Sequence, residues 1–326
     1  MNETMKESMK ETMTTTATTA KPRRPLVALF AGLLLPGLGQ VYNGEPALGA
    51  ALLFSIAMLL PSAAWLALHG PRSLLSLVIV VGVVASLAIY VYSVKAAYRT
   101  AARLRDGFVP GPWNRGTVYF VLFVFGHLFV LNPLAGYAKG HLIETFKVPS
   151  ASMLPTIVPG DRFFADKRVG HPGGVKLRRG AIAVFLYPND RTTLFVKRII
   201  GLPGDRVDID GVLVKVNGAE IRHEEVHDLG DPTLNQLLDE HQAFRESAEQ
   251  GSYTVLWRKD GLHERLSTVV PNGQVFVLGD NRDSSHDSRH FGVLPIADVT
   301  AVARQVWFSA DAHDGIRLRR TGTLLD

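Results

Sequence analysis

Two textures divide the chain. From residue 25 to about residue 134 the apolar positions come in long blocks, at roughly 26–42, 47–68, 73–94 and 118–134. A helix that crosses a membrane needs about 20 mostly apolar residues. The two middle blocks meet that length comfortably, and the fourth meets it with His127 as its one ionisable group. The first is short and broken by Pro36-Gly-Leu-Gly39, which predicts a segment that enters the membrane interface and turns back. Such lengths predict spanning helices in preference to the buried core helices of a soluble protein.

Beyond residue 158 the apolar runs become short and are punctuated by Gly, Pro, Asn and Asp. The pattern predicts strands at 181–186, 194–201, 212–216, 253–258 and 274–278. Asn217-Gly218 is a strong two-residue hairpin signal. The stretch 224–251 differs, being polar and rich in Glu, His and Gln, with a helical texture over 234–248. It predicts a small polar insertion on a β scaffold. The expected fold class is therefore membrane-anchored and mixed, with N-terminal transmembrane α-helices followed by a mostly-β extracytoplasmic domain. The expected divisions are a disordered cytoplasmic tail at 1–24, a transmembrane region at 25–138 and a β domain at 139–326.

Charge adds a direction to this layout. The tail carries Lys6, Lys10, Lys21, Arg23 and Arg24, and the connection 95–116 carries Lys95, Arg99, Arg103, Arg105 and Arg115. Both should stay cytoplasmic under the positive-inside rule, so an even number of spans separates them. Three apolar blocks lie between, and the broken first block is the one expected not to cross. About three spans result, and the last carries the chain from Lys139 onward to the far side. A cleavable leader is a weaker account of the first block, because further apolar blocks follow it. The net charge of +5 gives no sign of a nucleic-acid partner. The absence of cysteine excludes a thiol nucleophile, disulfides and thiolate metal sites.

The junction of the two textures is Phe146-Lys-Val-Pro-Ser-Ala-Ser-Met-Leu-Pro-Thr156. Pro149 and Pro155 each fix their own φ and disfavour helix in the residue before them. A stiff, extended segment is expected, presenting Ser150 and Ser152 near a membrane surface. Lys197 sits inside the apolar run Phe195-Val-Lys-Arg-Ile-Ile-Gly201. It either faces solvent or is buried with a depressed pKa, and a neutral amine can take a proton from a serine hydroxyl. Arg198, next along the strand, is expected to face the other way and to tolerate replacement better. No HExxH zinc-protease motif occurs, and Pro155 occupies the fourth place of a Ser-x-x-Lys motif starting at Ser152. A triad using His286 and Asp287 stays open, although neighbours on one loop make an awkward base and orienter.

The strings PSASMLPT, RRGAIAVFLYP, FVKRIIGLPGD and GDNRDSSHDSR, in this order after a run of spans, resemble the bacterial type I signal peptidases. The resemblance covers about residues 146–322 and leaves the region before residue 116 unassigned. It implies a membrane-bound serine endopeptidase that removes signal peptides after a small-X-small sequence, typically Ala-X-Ala. On that resemblance Ser152 is the nucleophile and Lys197 the general base. Ser150 and the Ser152 amide stabilise the oxyanion, and Ser285 orients the lysine amine. Asp280, Arg282, Asp287 and Arg289 brace the site as ion pairs. Phe146, Val148, Pro149, Met153, Ile157, Phe195 and Val196 line pockets for the substrate. His286 departs from the family string and receives no role. No cofactor or metal is implied. The implied partners are preproteins bearing signal peptides, the lipid bilayer and, as a candidate neighbour, the export translocon. The implied location is the bacterial cytoplasmic membrane, with the catalytic domain outside. The rival reading is a non-enzymatic membrane scaffold with a β domain. A soluble self-cleaving repressor shares the Ser–Lys chemistry but would not carry the spans.

Overall fold

A computed structural model describes residues 21–105, 108–171, 174–221, 223–248, 251–261, 265–311 and 315–325. The tail expected to be disordered lies, through residue 20, outside the described residues. Two compact units form, one from the chain up to Leu66 with Leu77–Ala138, the other from Ala67–Ser76 with Lys139–Asp326.

In the first unit Pro25 starts helix α1 (Pro25–Leu34), where its missing N–H costs nothing. A short α2 (Leu38–Tyr42) follows the Pro-Gly break, and then come α3 (Pro46–His69) and α4 (Leu75–Arg103). The break depends on Gly37, which has φ +88°, and a Cβ there would lie 2.0 Å from the Gly49 carbonyl oxygen. Two amides of this motif are buried, Gln40 and Asn43. Gln40 Nε2 donates to the Ser93 carbonyl at 2.8 Å and Asn43 Nδ2 to the Ala97 carbonyl at 2.7 Å. In apolar surroundings an unspent amide donor costs several kcal/mol. These bonds therefore fasten α2 to one face of α4.

The last helical stretch runs through α5 (Gly116–Phe125), a π-helical turn (Gly126–Leu131) and α6 (Asn132–His141). Among the described residues three stretches are long and apolar enough to cross a membrane, Pro46–His69, Arg72–Arg103 and Gly116–His141. Two of them outrun their apolar blocks. Helix α4 continues to Arg103 because Lys95-Ala-Ala-Tyr-Arg-Thr-Ala-Ala-Arg103 is rich in strong helix formers. Half of the cationic connection is thus helical.

The second unit is mostly β. Its largest sheet runs in the order β1-β2-β14-β3-β4-β12-β13, with β15 paired to β14. The strands are β1 (Ile143–Lys147), β2 (Asp161–Asp166), β3 (Ile182–Leu186), β4 (Leu194–Gly201), β12 (Gln274–Leu278), β13 (Leu294–Pro295), β14 (Val299–Asp311) and β15 (Gly315–Ile316). Its apolar faces, carrying Phe163, Ile182, Val184, Ala301 and Val306 on one side and Phe185, Ile199, Val277 and Leu294 on the other, are buried. A four-stranded sheet comprises β5 (Arg206–Asp210), β6 (Leu213–Val216), β7 (Ala219–Glu220) and β11 (Arg265–Val269). Asn217 and Gly218 join β6 to β7 with φ of +54° and +79°, the double positive φ that a tight twisted hairpin needs.

The polar stretch departs from its expected helical texture. Among its described residues only Pro232–Asn235 is α-helical, capped by the Asp231 side chain, which accepts from the Thr233 and Leu234 amides. A 3-10 turn at Gln236–Asp239 follows, and His241–Ala248 is strand β9. It lies between β8 (His223–Val226) and β10 (Gly251–Arg258) in a three-stranded sheet. Pairing along all eight of its residues with β10, together with burial of Ala243, Phe244 and Glu246, outweighs the local helix preference of Gln, Ala, Arg and Glu.

Candidate active site

Strand β1 carries the chain into the serine segment. Val148 holds this stretch to the start of β2, donating to the Asp161 carbonyl at 3.0 Å and accepting from the Gly160 amide at 2.9 Å. The extended geometry expected through residue 156 ends near Ser150. From Ala151 the backbone coils, with the Leu154 amide donating to the Ala151 carbonyl at 3.1 Å and the Ile157 amide to the Met153 carbonyl at 2.9 Å. The cause is burial, since Met153 and Ile157 both turn into the core and are 1% and 0% exposed. Ser152 is left half-exposed at the mouth of this coil.

Lys197 lies in the middle of β4, opposite Ala183 of β3. Its side chain is 4% exposed, so the solvent-facing alternative does not hold. Nζ lies 2.7 Å from Ser152 Oγ and 5.5 Å from the centre of the Phe195 ring. Burial pulls the amine's pKa down from 10.5 to about 8; the carboxylates of Asp287 and Asp280 oppose the shift, and the Arg289 charge adds to it. An amine with that pKa is partly neutral near physiological pH. At this distance it can take the proton of the serine hydroxyl. Ser150 Oγ stands 3.3 Å from Ser152 Oγ, so a second hydroxyl adjoins the same point.

Both groups open into a cleft of about 330 Å³. Phe146, Val148, Pro149, Met153, Phe195 and Val196 line it together with Ser150, Ser152 and Lys197. Ile157 does not, being wholly buried in the core beneath with Val148 and Met153. His286, to which the family resemblance assigns no role, does line the cleft.

The loop after β12 closes the site from behind. The Asn281 amide donates to the Ser152 carbonyl at 3.1 Å, and Asn281 Nδ2 donates to the Ala151 carbonyl at 3.2 Å. Gly279 permits this approach, because a Cβ there would lie 2.6 Å from the Ser152 carbonyl oxygen and 2.1 Å from Ser285 Oγ. Asp287 accepts from the Gly279 amide at 2.9 Å and is held by Arg289. Burial by itself would raise this carboxyl, but the bonds and charge of Arg289 keep it below the usual carboxylate range. Arg289 Nη2 also donates to the Arg282 carbonyl. Ser285 is buried. It lies near enough to Asp287 to help lower that carboxyl. Among the described residues Lys197 Nζ hydrogen-bonds Ser152 Oγ alone.

Two partners of the loop escaped the sequence. Asp280 pairs with Arg198, through Nε at 2.8 Å and Nη2 at 2.6 Å, both groups being fully buried. Arg198 Nη1 further donates to the Gly180 carbonyl at 2.6 Å, and its guanidinium lies 3.8 Å from the centre of the Tyr253 ring. Arg282 pairs with Glu246 of β9 at 2.6 Å, again fully buried. The expectation that Arg198 tolerates replacement is therefore reversed. Alternation along β4 does turn it away from Lys197, but toward a second interior. No polar residue spacing marks either partnership. The apolar texture around Arg198 was its only visible sign.

The alternative with His286 and Asp287 is not built. His286 Nε2 is within 3.1 Å of the Tyr187 hydroxyl, while Asp287 is committed to Arg289 and the Gly279 amide. Among the described residues no group of three or more His, Asp or Glu side chains could hold a metal ion.

Comparison with known proteins bears on this geometry. Residues 120–308 match the family described as signal peptidase, peptidase S26. Signal peptidase I of Rickettsia prowazekii is 32% identical over 197 residues, covering 52% of this chain and 73% of that protein. Signal peptidase I of Buchnera aphidicola is 26% identical over 239 residues, covering 57% of this chain and 76% of the other. A crystal structure of a signal peptidase I from Enterococcus faecalis is 31% identical and covers 39% of this chain and 97% of its own, with a TM-score of 0.26. More than half of the chain falls within the matched region, and the chain belongs to the signal peptidase family, peptidase S26.

Proposed function

We infer that this protein is a membrane-bound serine endopeptidase that removes signal peptides from preproteins, cutting after a small-X-small sequence. The observation that carries the reading is the 2.7 Å approach of a buried, pKa-depressed lysine amine to a serine hydroxyl in an apolar cleft. Ser152 attacks the scissile carbonyl as Lys197 takes its proton, and the lysine then delivers that proton to the departing amine. The Ser152 amide and the Ser150 hydroxyl hold the oxyanion, a contribution of about 3–4 kcal/mol per donor in comparable sites. Ser285, buried beside Asp287, turns its hydroxyl toward the lysine amine. Phe146, Val148, Pro149, Met153, Phe195 and Val196 form shallow apolar walls that suit small side chains. Asp280, Arg282, Asp287 and Arg289 keep the loop rigid. The site needs no cofactor.

The domain limits follow the same reading: a tail to residue 24, a membrane region at 25–138 and an extracytoplasmic catalytic domain from residue 139. Three spans and a first segment that turns back give this orientation. In that arrangement the turn between α3 and α4 emerges on the side of the β domain. Bonds within the second unit support it: Arg168 Nη2 donates to the Leu68 carbonyl at 3.2 Å, and Ser76 Oγ to Gln305 Oε1 at 2.6 Å. The location is the bacterial cytoplasmic membrane, where preproteins, lipid and the export translocon are its neighbours.

Full-length protein in detergent is expected to cut a synthetic Ala-X-Ala signal-peptide substrate at one bond, read by mass spectrometry. Ser152→Ala protein should leave it intact while melting at the wild-type temperature. Absence of cleavage by the wild type would favour the scaffold reading. In right-side-out vesicles, protease added outside should digest the β domain; full protection would overturn the orientation.

A further inference from the structure

One histidine at the cleft has no place in the proposed reaction. His286 lines the cleft beside Lys197, between Ser285 and Asp287. Its ring meets Phe195 edge-on at 6.5 Å and Phe291 at 5.8 Å. Tyr187 stacks on Phe195 at 4.5 Å with an interplanar angle of 11°, and its hydroxyl lies 3.1 Å from His286 Nε2. Asn189 Nδ2 donates to that same hydroxyl at 2.9 Å.

The direction of this chain of bonds matters. An amide nitrogen is only a donor, so the Tyr187 oxygen accepts from Asn189 and keeps its own proton to give. Giving it to His286 makes Nε2 the acceptor and leaves the proton of the neutral imidazole on Nδ1. Nδ1 has no partner among the described residues. In that tautomer the exposed ring borders the cleft that holds Ser152 and Lys197 with one nitrogen committed and one N–H unspent.

We propose that His286 is a substrate-binding residue that donates an Nδ1–H hydrogen bond to a main-chain carbonyl of the bound preprotein, with Tyr187 and Asn189 as positioning residues that fix its tautomer. This rests on the peptidase reading. A substrate recognised by small side chains offers few side-chain acceptors near the cut, so its backbone carbonyls are the acceptors at hand. The bond is made in the bound substrate and persists through the reaction, which places its effect in KM rather than in kcat.

The test uses full-length protein in detergent and the Ala-X-Ala peptide, with kcat and KM measured separately and thermal melting as a check on folding. His286→Ala should raise KM about 5–10-fold, the range of one neutral hydrogen bond, and leave kcat within about twofold. His286→Asn places an amide N–H near the position of Nδ1 and should restore KM. His286→Gln reaches instead toward the position of Nε2 and should not. Tyr187→Phe, which keeps the ring and removes the proton given to Nε2, should raise KM about two- to threefold. Unchanged KM in the Ala variant, or rescue by Gln and not by Asn, would overturn the proposal while leaving the peptidase reading intact. A wild type that does not cleave would overturn both.

Discussion

Full-length protein carrying Lys197→Met is expected to fold at least as well as the wild type near neutral pH and to cleave nothing. Methionine keeps an unbranched apolar stem in the pocket and removes only the amine. The stability claim follows from the direction of the pKa shift. A lysine lowered from 10.5 to about 8 by folding favours the unfolded state, by about 3 kcal/mol while both states are charged. That penalty is fully present below pH 8, shrinks between about 8 and 10.5, and is gone above. Melting temperature measured against pH should therefore rise for the wild type across this window relative to Lys197→Met. Cleavage by the wild type should rise with pH through about 8, because the neutral amine is the active form. Substantial activity in Lys197→Met, or a rate that stays flat from pH 6 to 10, would exclude a Ser–Lys mechanism.

The second large effect concerns stability. Arg198→Met should destabilise the protein by about 3–5 kcal/mol, since it leaves the Asp280 carboxylate buried without its cation. Lysine is no substitute there. A single ammonium cannot supply both bonds to Asp280, the bond to the Gly180 carbonyl and the flat contact with Tyr253. Combining Arg198→Met with Asp280→Leu should recover much of the loss, because neither charge then remains to be desolvated. Thermal or denaturant unfolding of the three variants reads this directly. A single variant that loses less than about 1 kcal/mol would mean that water reaches Asp280.

Local chemistry accounts for what could be read from the chain beforehand. The three long apolar helical stretches among the described residues follow from length and hydropathy, and the strands β4, β6 and β12 follow from apolar runs ended by turn residues. Ser152 and Lys197 stand out because strings on both sides of each resemble a family, and the fold brings their side chains together. The misreadings share a different cause. Strand β9 is held by a partner strand, so its own helix-favouring composition was a poor guide. Arg198 and Glu246 are explained only by partners 82 and 36 residues away, and nothing in their immediate surroundings names those partners. The coil after Ser150 likewise answers to the core that receives Met153 and Ile157, and not to the two prolines that flank it.

Glu246 has a bearing on how this fold can be enlarged or trimmed. It is the carboxylate through which the three-stranded sheet reaches the loop behind the serine, so β9 cannot slip by one residue without turning that carboxylate to the opposite face. The connection before it is free of this restraint. The exposed bend at Gly230, ahead of the Asp231 cap, can accept a graft of many residues at small entropic cost, because loop closure grows only slowly with length. An epitope tag, a fluorescent reporter or a purification handle placed there would ride on the outer sheet while leaving the register of β9 intact.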